Sequence, residues 1–140
     1  MKVMIFGTFD LLHEGHQFFI REAKKLGGQL IIVLARDQTV QKLKGHAPEE
    51  PETTRYQKVS SLHLADKVVL GDLQDHFKIV QEERPDIIFL GYDQIHFVDT
   101  LHQNLQQYGL SNTKILRAPA YKPHLYKTSL LRKQRKKGEV

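Results

Sequence analysis

A doubly wound α/β domain is the fold this sequence predicts, and three observations carry the prediction. Short apolar runs, among them Val3-Met4-Ile5-Phe6, Leu30-Ile31-Ile32-Val33-Leu34-Ala35 and Ile87-Ile88-Phe89-Leu90, alternate with amphipathic stretches of helical period. These runs are apolar on both faces, as parallel strands covered by helices on both sides must be. Three strand ends carry polar loops: Gly7-Thr8-Phe9-Asp10, Gly91-Tyr92-Asp93 and the stretch from Tyr121 to Ser129. In open α/β sheets a ligand lies outside the carboxyl ends of the strands, at the point where strand order reverses. An order of 3-2-1-4-5 puts the first and fourth strands side by side at that point, so the loops and the topology rule agree on one cleft.

The elements follow in order. Lys2 to Phe6 is the first strand, and residues 15 to 26 form a helix whose Phe19, Ala23 and Leu26 recur at i, i+4 and i+7 before the stop at Gly27-Gly28. Leu30 to Ala35 is the second strand, followed by a short helix from Asp37 to Leu43. The loop 44–51 has Gly45, Pro48 and Pro51 as its punctuation. A helix from Glu52 or Thr53 to Leu64 should place Tyr56, Val59, Ser60 and His63 on one stripe. Lys67 to Leu70 is the third strand, Asp75 to Glu83 a helix stopped before Pro85, and Asp86 to Leu90 the fourth strand. Residues 97 to 108 are helical, Lys114 to Leu116 is the fifth strand, and Thr128 or Ser129 starts a last helix. The whole is a Rossmann-like five-stranded parallel sheet with helices on both faces, and 1–140 is read as a single domain with a basic tail at 132–140.

Composition narrows the chemistry. Cysteine is absent, which excludes disulfides, thiolate metal sites and cysteine nucleophiles. No apolar run approaches the roughly 20 residues needed to span a bilayer, and Lys2 leads directly into a strand, so a cytoplasmic protein without membrane partners is expected. The net charge of +5 is concentrated in Arg132, Lys133, Arg135, Lys136 and Lys137, leaving the body nearly neutral. This pattern suits a solvated helix end, and no nucleic-acid partner is expected; a tail that did bind nucleic acid would do so with steep salt dependence.

The most informative stretch is Gly7-Thr8-Phe9-Asp10-Leu11-Leu12-His13-Glu14-Gly15-His16, where a strand runs into a tight turn and a helix begins with two histidines at its mouth. Amides at a helix N-terminus have no intrahelical acceptors and carry the positive end of the macrodipole, so the junction is a ready phosphate site. Two imidazoles three residues apart add side-chain donors. The stretch reads as a nucleoside triphosphate cradle. A zinc site is a poor alternative, because helical ligands sit at i, i+4 and no third ligand is evident, so no protein-bound metal is expected.

These ten residues resemble the signature of the HxGH nucleotidyltransferases. Within that superfamily the chain resembles the cytidylyltransferase-like group that contains glycerol-3-phosphate cytidylyltransferase, phosphoethanolamine and phosphocholine cytidylyltransferases, and the archaeal-type FAD synthase. Ala35-Arg36-Asp37-Gln38-Thr39-Val40, Lys44-Gly45, Arg55, Ala65-Asp66-Lys67-Val68-Val69-Leu70-Gly71, Pro85-Asp86-Ile87-Ile88 and Leu90-Gly91-Tyr92-Asp93-Gln94 are most similar to the FAD synthase pattern. Where the cytidylyltransferases carry Arg-Thr-x-Gly-Ile-Ser-Thr-Thr, this chain has Tyr126-Lys127-Thr128-Ser129-Leu130-Leu131.

The resemblance implies transfer of a nucleoside monophosphate from an NTP to a small phosphorylated acceptor, with pyrophosphate released. FMN adenylyltransfer from ATP leads, and cytidylyl transfer from CTP to glycerol 3-phosphate or a related alcohol phosphate is the alternative. A non-catalytic nucleotide-binding regulatory module is a third reading. Such transfer is mostly positioning and charge stabilisation. His13 and His16 are expected as phosphate donors, with Lys44 and Lys127 as further catalytic cations. Gly7, Thr8, Phe9, Gly15, Gly91, Asp93, Tyr121, Thr128 and Ser129 would bind the nucleotide. Asp10 would orient a donor or hold a water on Mg²⁺, the divalent cation expected to accompany the NTP. Lys44, on the loop after the second helix, and Arg55 would meet the acceptor. Relatives of this fold often pair, so a homodimer is possible.

Overall fold

The computed structural model describes residues 1–94 and 98–119. Its elements are β1 (Lys2–Gly7), α1 (Glu14–Lys24), β2 (Gln29–Leu34), α2 (Asp37–Lys44), α3 (Glu52–Ser60), β3 (Lys67–Leu70), α4 (Lys78–Glu83), β4 (Ile87–Leu90), α5 (Val98–Gln107) and β5 (Lys114–Arg117). The strands form one parallel sheet in the order β3-β2-β1-β4-β5, as the alternation of runs predicts. β1 pairs along its length with β2, from Lys2 opposite Gln29 to Gly7 opposite Leu34, and on its other side with β4 through Val3 and Met4.

Because strand side chains alternate between faces, the sheet divides the core in two. On one face Val3, Ile5, Leu30, Ile32 and Phe89 pack with Phe19, Ile20 and Ala23 of α1 and Val59 of α3. On the other, Met4, Phe6, Ile31, Val33, Ile88 and Leu90 pack with Val80 of α4 and Leu101 and Leu105 of α5. The central strands are therefore dry on both sides.

α1 and α5 differ from their sequence reading by one or two residues at their ends, and three other helices differ for local reasons. α3 ends at Ser60 rather than Leu64, because the Leu62 and His63 amides turn back to Val59 and Ser60 and His63 takes a left-handed φ of 55°. The inner face of α3 is Arg55 and Val59; of the expected stripe Val59 is buried, while Tyr56 is exposed. α4 begins at Lys78 because Asp72 accepts the Gln74 and Asp75 amides and Asp75 accepts that of Phe77, and these Asx-type turns compete with helix. α2 extends to Lys44, so this lysine is the last helical residue and not part of the following loop; Gly45 closes the helix at φ 82°.

Gly27 is required by close approach. A Cβ there would lie 2.6 Å from the Met1 carbonyl oxygen and 3.1 Å from a Val3 methyl. Gly27→Ala is expected to cost about 1–3 kcal/mol in chemical denaturation, since backbone has to move to admit the methyl.

The amino ends of the strands are tied by ion pairs remote from the cleft. Glu83 meets Lys67 at 2.6 Å and Lys2 at 3.3 Å, and the Lys67 contact, followed by Lys2, holds its carboxyl below the ordinary value of 4.5. Asp66 accepts the Leu30 amide at 2.7 Å and meets Lys24, which lowers it from 3.8. Carboxylates with depressed folded-state values contribute stability that is complete above their unfolded values and is lost as pH falls through the folded ones. The melting temperature should therefore hold from neutrality down to about pH 5 and fall below about pH 4, with a smaller fall in Asp66→Asn, measured by circular dichroism.

Candidate functional site

The site is built where β1 hands over to α1. Phe9 and Leu11 both have φ of 52°, a left-handed conformation that is costly for bulky L residues. Packing and hydrogen bonds hold them there. Phe9 is fully buried, stacked on Phe19 at 6.4 Å and edge-on to His16 at 5.4 Å. The Leu11 amide donates to Glu50 Oε1 at 3.1 Å.

His13 is the N-cap of α1. Its Nδ1 accepts the amides of Gly15 at 3.1 Å and His16 at 3.3 Å, and its own amide donates to His16 Nδ1 at 3.3 Å. This is a capping box made from two histidines. The rings stack with centroids 3.6 Å apart and planes within 19°. With both Nδ1 atoms accepting amide protons, the hydrogen-bond network assigns each neutral ring the tautomer with its proton on Nε2. Each ring thus carries a donor suited to a phosphate oxygen, at the positive end of a helix.

Asp10 and Arg55 have tasks other than those expected. Asp10, 1% exposed, uses both carboxylate oxygens to accept the Glu49 and Glu50 amides, at 2.7 and 2.9 Å. It clamps the 45–51 loop against the β1 turn, because its short side chain is buried before it reaches the cleft. Arg55 is expected to meet the acceptor, and the structure describes its role in the frame. Its fully buried guanidinium donates to the carbonyls of Glu50, Thr8 and Ala35 and pairs with Asp37 at 2.7 Å. It joins the ends of β1 and β2, the start of α2 and the loop.

Sequence reasoning assigned no role to several residues of this frame. Asp37 and Glu52 each accept the other's amide, and Glu52 also pairs with Arg36, so α2 and α3 are tied start to start. Glu50 serves Leu11 and is bonded to Lys58. Gln94 links β4 to β1, accepting the Gly91 amide and donating to the Phe6 carbonyl. Arg117 donates to the carbonyls of Gly91 and Gln94, which gives the Gly91-Tyr92-Asp93 turn its shape. The acidic residues at helix starts were a legible signal for the first pair. Gln94 and Arg117 had none, because the Phe6 carbonyl that Gln94 reaches and the Gly91 and Gln94 carbonyls that Arg117 reaches are remote in sequence.

Gly7, Thr8, Gly91 and Asp93 lie at the adjoining ends of β1 and β4, as the switch-point argument requires, and Lys44 lies at the end of α2. Gly15 is in the first turn of α1. Tyr121, Lys127, Thr128 and Ser129, and the 132–140 tail, fall outside the described residues. A cavity of about 180 Å³ opens at the carboxyl ends of β1, β2 and β3, lined among others by Gly7, Thr8, Ala35, Leu43, Gly71 and Gln94. Among the described residues, no cluster of three or more His, Asp or Glu is arranged to hold a metal ion, and no helix is long and apolar enough to cross a membrane.

Comparison with known proteins bears on this geometry. The family described as Cytidylyltransferase-like matches residues 4–134. The chain is 44% identical over 121 residues to an FAD synthase of Aciduliprofundum boonei, covering 86% of this chain and 80% of the relative. It is 42% identical over 134 residues to an FAD synthase of Thermoplasma acidophilum, covering 96% and 93%. Among solved structures it is similar to a lipopolysaccharide core biosynthesis protein of Thermoplasma volcanium, at 39% identity and a TM-score of 0.80, over 87% of this chain and 98% of that one. A pantoate-beta-alanine ligase of Francisella tularensis, 18% identical with a TM-score of 0.57 over 86% of this chain and 60% of that one, shares the fold.

Proposed function

The chain belongs to the cytidylyltransferase-like family, and from that membership we propose that it transfers AMP from ATP to FMN, releasing pyrophosphate and giving FAD. The observation that carries this reading from family to chemistry is the stacked His13–His16 pair, whose tautomers leave two Nε2–H donors at the N-terminus of α1.

In the reaction a phosphate oxygen of FMN attacks the α-phosphorus of ATP. One P–O bond forms as the bond to the pyrophosphate oxygen breaks, and the electron pair leaves with pyrophosphate. The protein's work is to align the two phosphates and stabilise charge on their oxygens. His13 and His16 donate to those oxygens, and the α1 amides add the helix dipole. Gly91 and Asp93 sit where ribose and base would lie, and the cavity beside Gly7 and Thr8 takes the acceptor. Lys44 supplies positive charge at the acceptor side. Tyr121, Lys127, Thr128 and Ser129 are assigned to base and triphosphate by resemblance alone.

The divalent cation enters as part of the substrate, Mg·ATP. Asp10 is committed to two amides, so the ion's ligands are phosphate oxygens and water, and its chemistry is to neutralise their charge.

The test is pyrophosphate release in Mg²⁺ with ATP or CTP, each crossed with FMN or glycerol 3-phosphate. Turnover with ATP and FMN alone is the expected result. Turnover with CTP and glycerol 3-phosphate alone would replace this reading by the cytidylyl one, and triphosphate binding without turnover of any pair would favour a regulatory module.

A further inference from the structure

Two cavities adjoin at the carboxyl end of the sheet. The first, of about 180 Å³, is the one beside Gly7 and Thr8. The second, of about 240 Å³, lies between α4 and α5, walled by Phe77, Val80 and Leu101 and edged by Gln74, Thr100 and Asn104. Phe6 and His76 line both. Pockets for ligands of cofactor or drug size run from roughly 300 to 1,000 Å³, a range that neither cavity reaches alone and the two reach together.

We propose that the acceptor lies extended across both cavities, its phosphate at Gly7 and Thr8 and its ring between α4 and α5, and that His76 at their junction sets acceptor specificity. The proposal rests on the FMN reading above. The direction is fixed by chemistry: the phosphate must lie toward the β1 turn that leads to His13, so the ring occupies the far chamber. That chamber suits a flat heteroaromatic. Its aromatic and aliphatic walls meet the ring faces, while the amide side chains of Gln74 and Asn104 match the mixed donors and acceptors along the polar edge of an isoalloxazine.

A glycerol phosphate would fill the first cavity only and gain none of the apolar contact that Phe77, Val80 and Leu101 offer a ring. His76, exposed at the lip and shared by both cavities, is placed to close over a bound ring.

The experiment compares wild type, His76→Trp and Asn104→Leu in the full chain. It reads steady-state constants for FMN and ATP, riboflavin binding by flavin fluorescence quenching, and melting temperature. Both variants should raise KM for FMN and weaken riboflavin binding by about tenfold or more, with KM for ATP and kcat at saturating FMN held within about twofold. A wild type that makes FAD beside variants with unchanged KM for FMN would overturn the two-chamber placement. A wild type that neither makes FAD nor binds flavin would overturn the FMN reading, and this inference with it. The substitutions lie on different elements, so loss of folding at one leaves the other to decide.

Discussion

Replacing His16 with alanine should lower kcat for FAD formation by roughly 10²–10³, the loss typical of removing one donor aimed at developing charge. The structure supplies a control that separates chemistry from folding. His16 Nδ1 accepts the His13 amide at 3.3 Å, so alanine also removes half of the histidine capping box. Asparagine can return a short acceptor to that amide without restoring a donor at the position of Nε2. His16→Asn should therefore melt closer to wild type than His16→Ala and be as inactive. His13→Ala removes the acceptor for two amides and should cost about 1 kcal/mol of stability besides its activity. Equal activity in His16→Asn and wild type would mean that the pair only caps a helix.

Arg55→Ala is expected to be the most destabilising single change in the frame. The guanidinium is fully buried and donates to three carbonyls as well as to Asp37. Its removal strands those acceptors in a space that water enters poorly, and breaking such a network typically costs about 3–5 kcal/mol. For a chain of this size that is a fall in melting temperature on the order of 10 °C. Arg55→Lys should recover little of it, because an ammonium has no planar fork to span carbonyls on β1, β2 and the loop. Since Thr8 is among the partners, the variant that still folds should also bind ATP more weakly. Thermal melts with nucleotide titration check both. A melting temperature within about 2 °C of wild type for Arg55→Ala would refute the strut role.

How much of this was legible can be argued from particular residues. The strands are apolar on both faces because they are buried on both faces, so Met4-Ile5 and Leu30 to Leu34 announce the parallel sheet by themselves. The switch point follows from their order, and the Gly7 to His16 stretch is local, so the turn from β1 into α1 is readable where it stands. The bracing partners of Arg55 and Asp10 were not legible for a common reason: composition does not reveal that a charged residue beside a binding loop meets the Glu50 carbonyl or the Glu49 amide. α3 was overextended because its amphipathic period continues past Ser60, whereas the His63 backbone does not.

The sequence by itself determined the α/β class, the strand order, the strand-to-helix junction of β1 and α1 and the family, because each is encoded in residues close together in the chain or in a repeating period. Tertiary structure alone decided which charged groups face the cleft and which brace it. It decided the tautomers of His13 and His16, the clamp from Asp10 to the loop and the meeting of two cavities at Phe6 and His76. The physical reason is that a polar side chain is claimed by whichever backbone group its burial brings within hydrogen-bond reach, and that group is set by how distant segments pack.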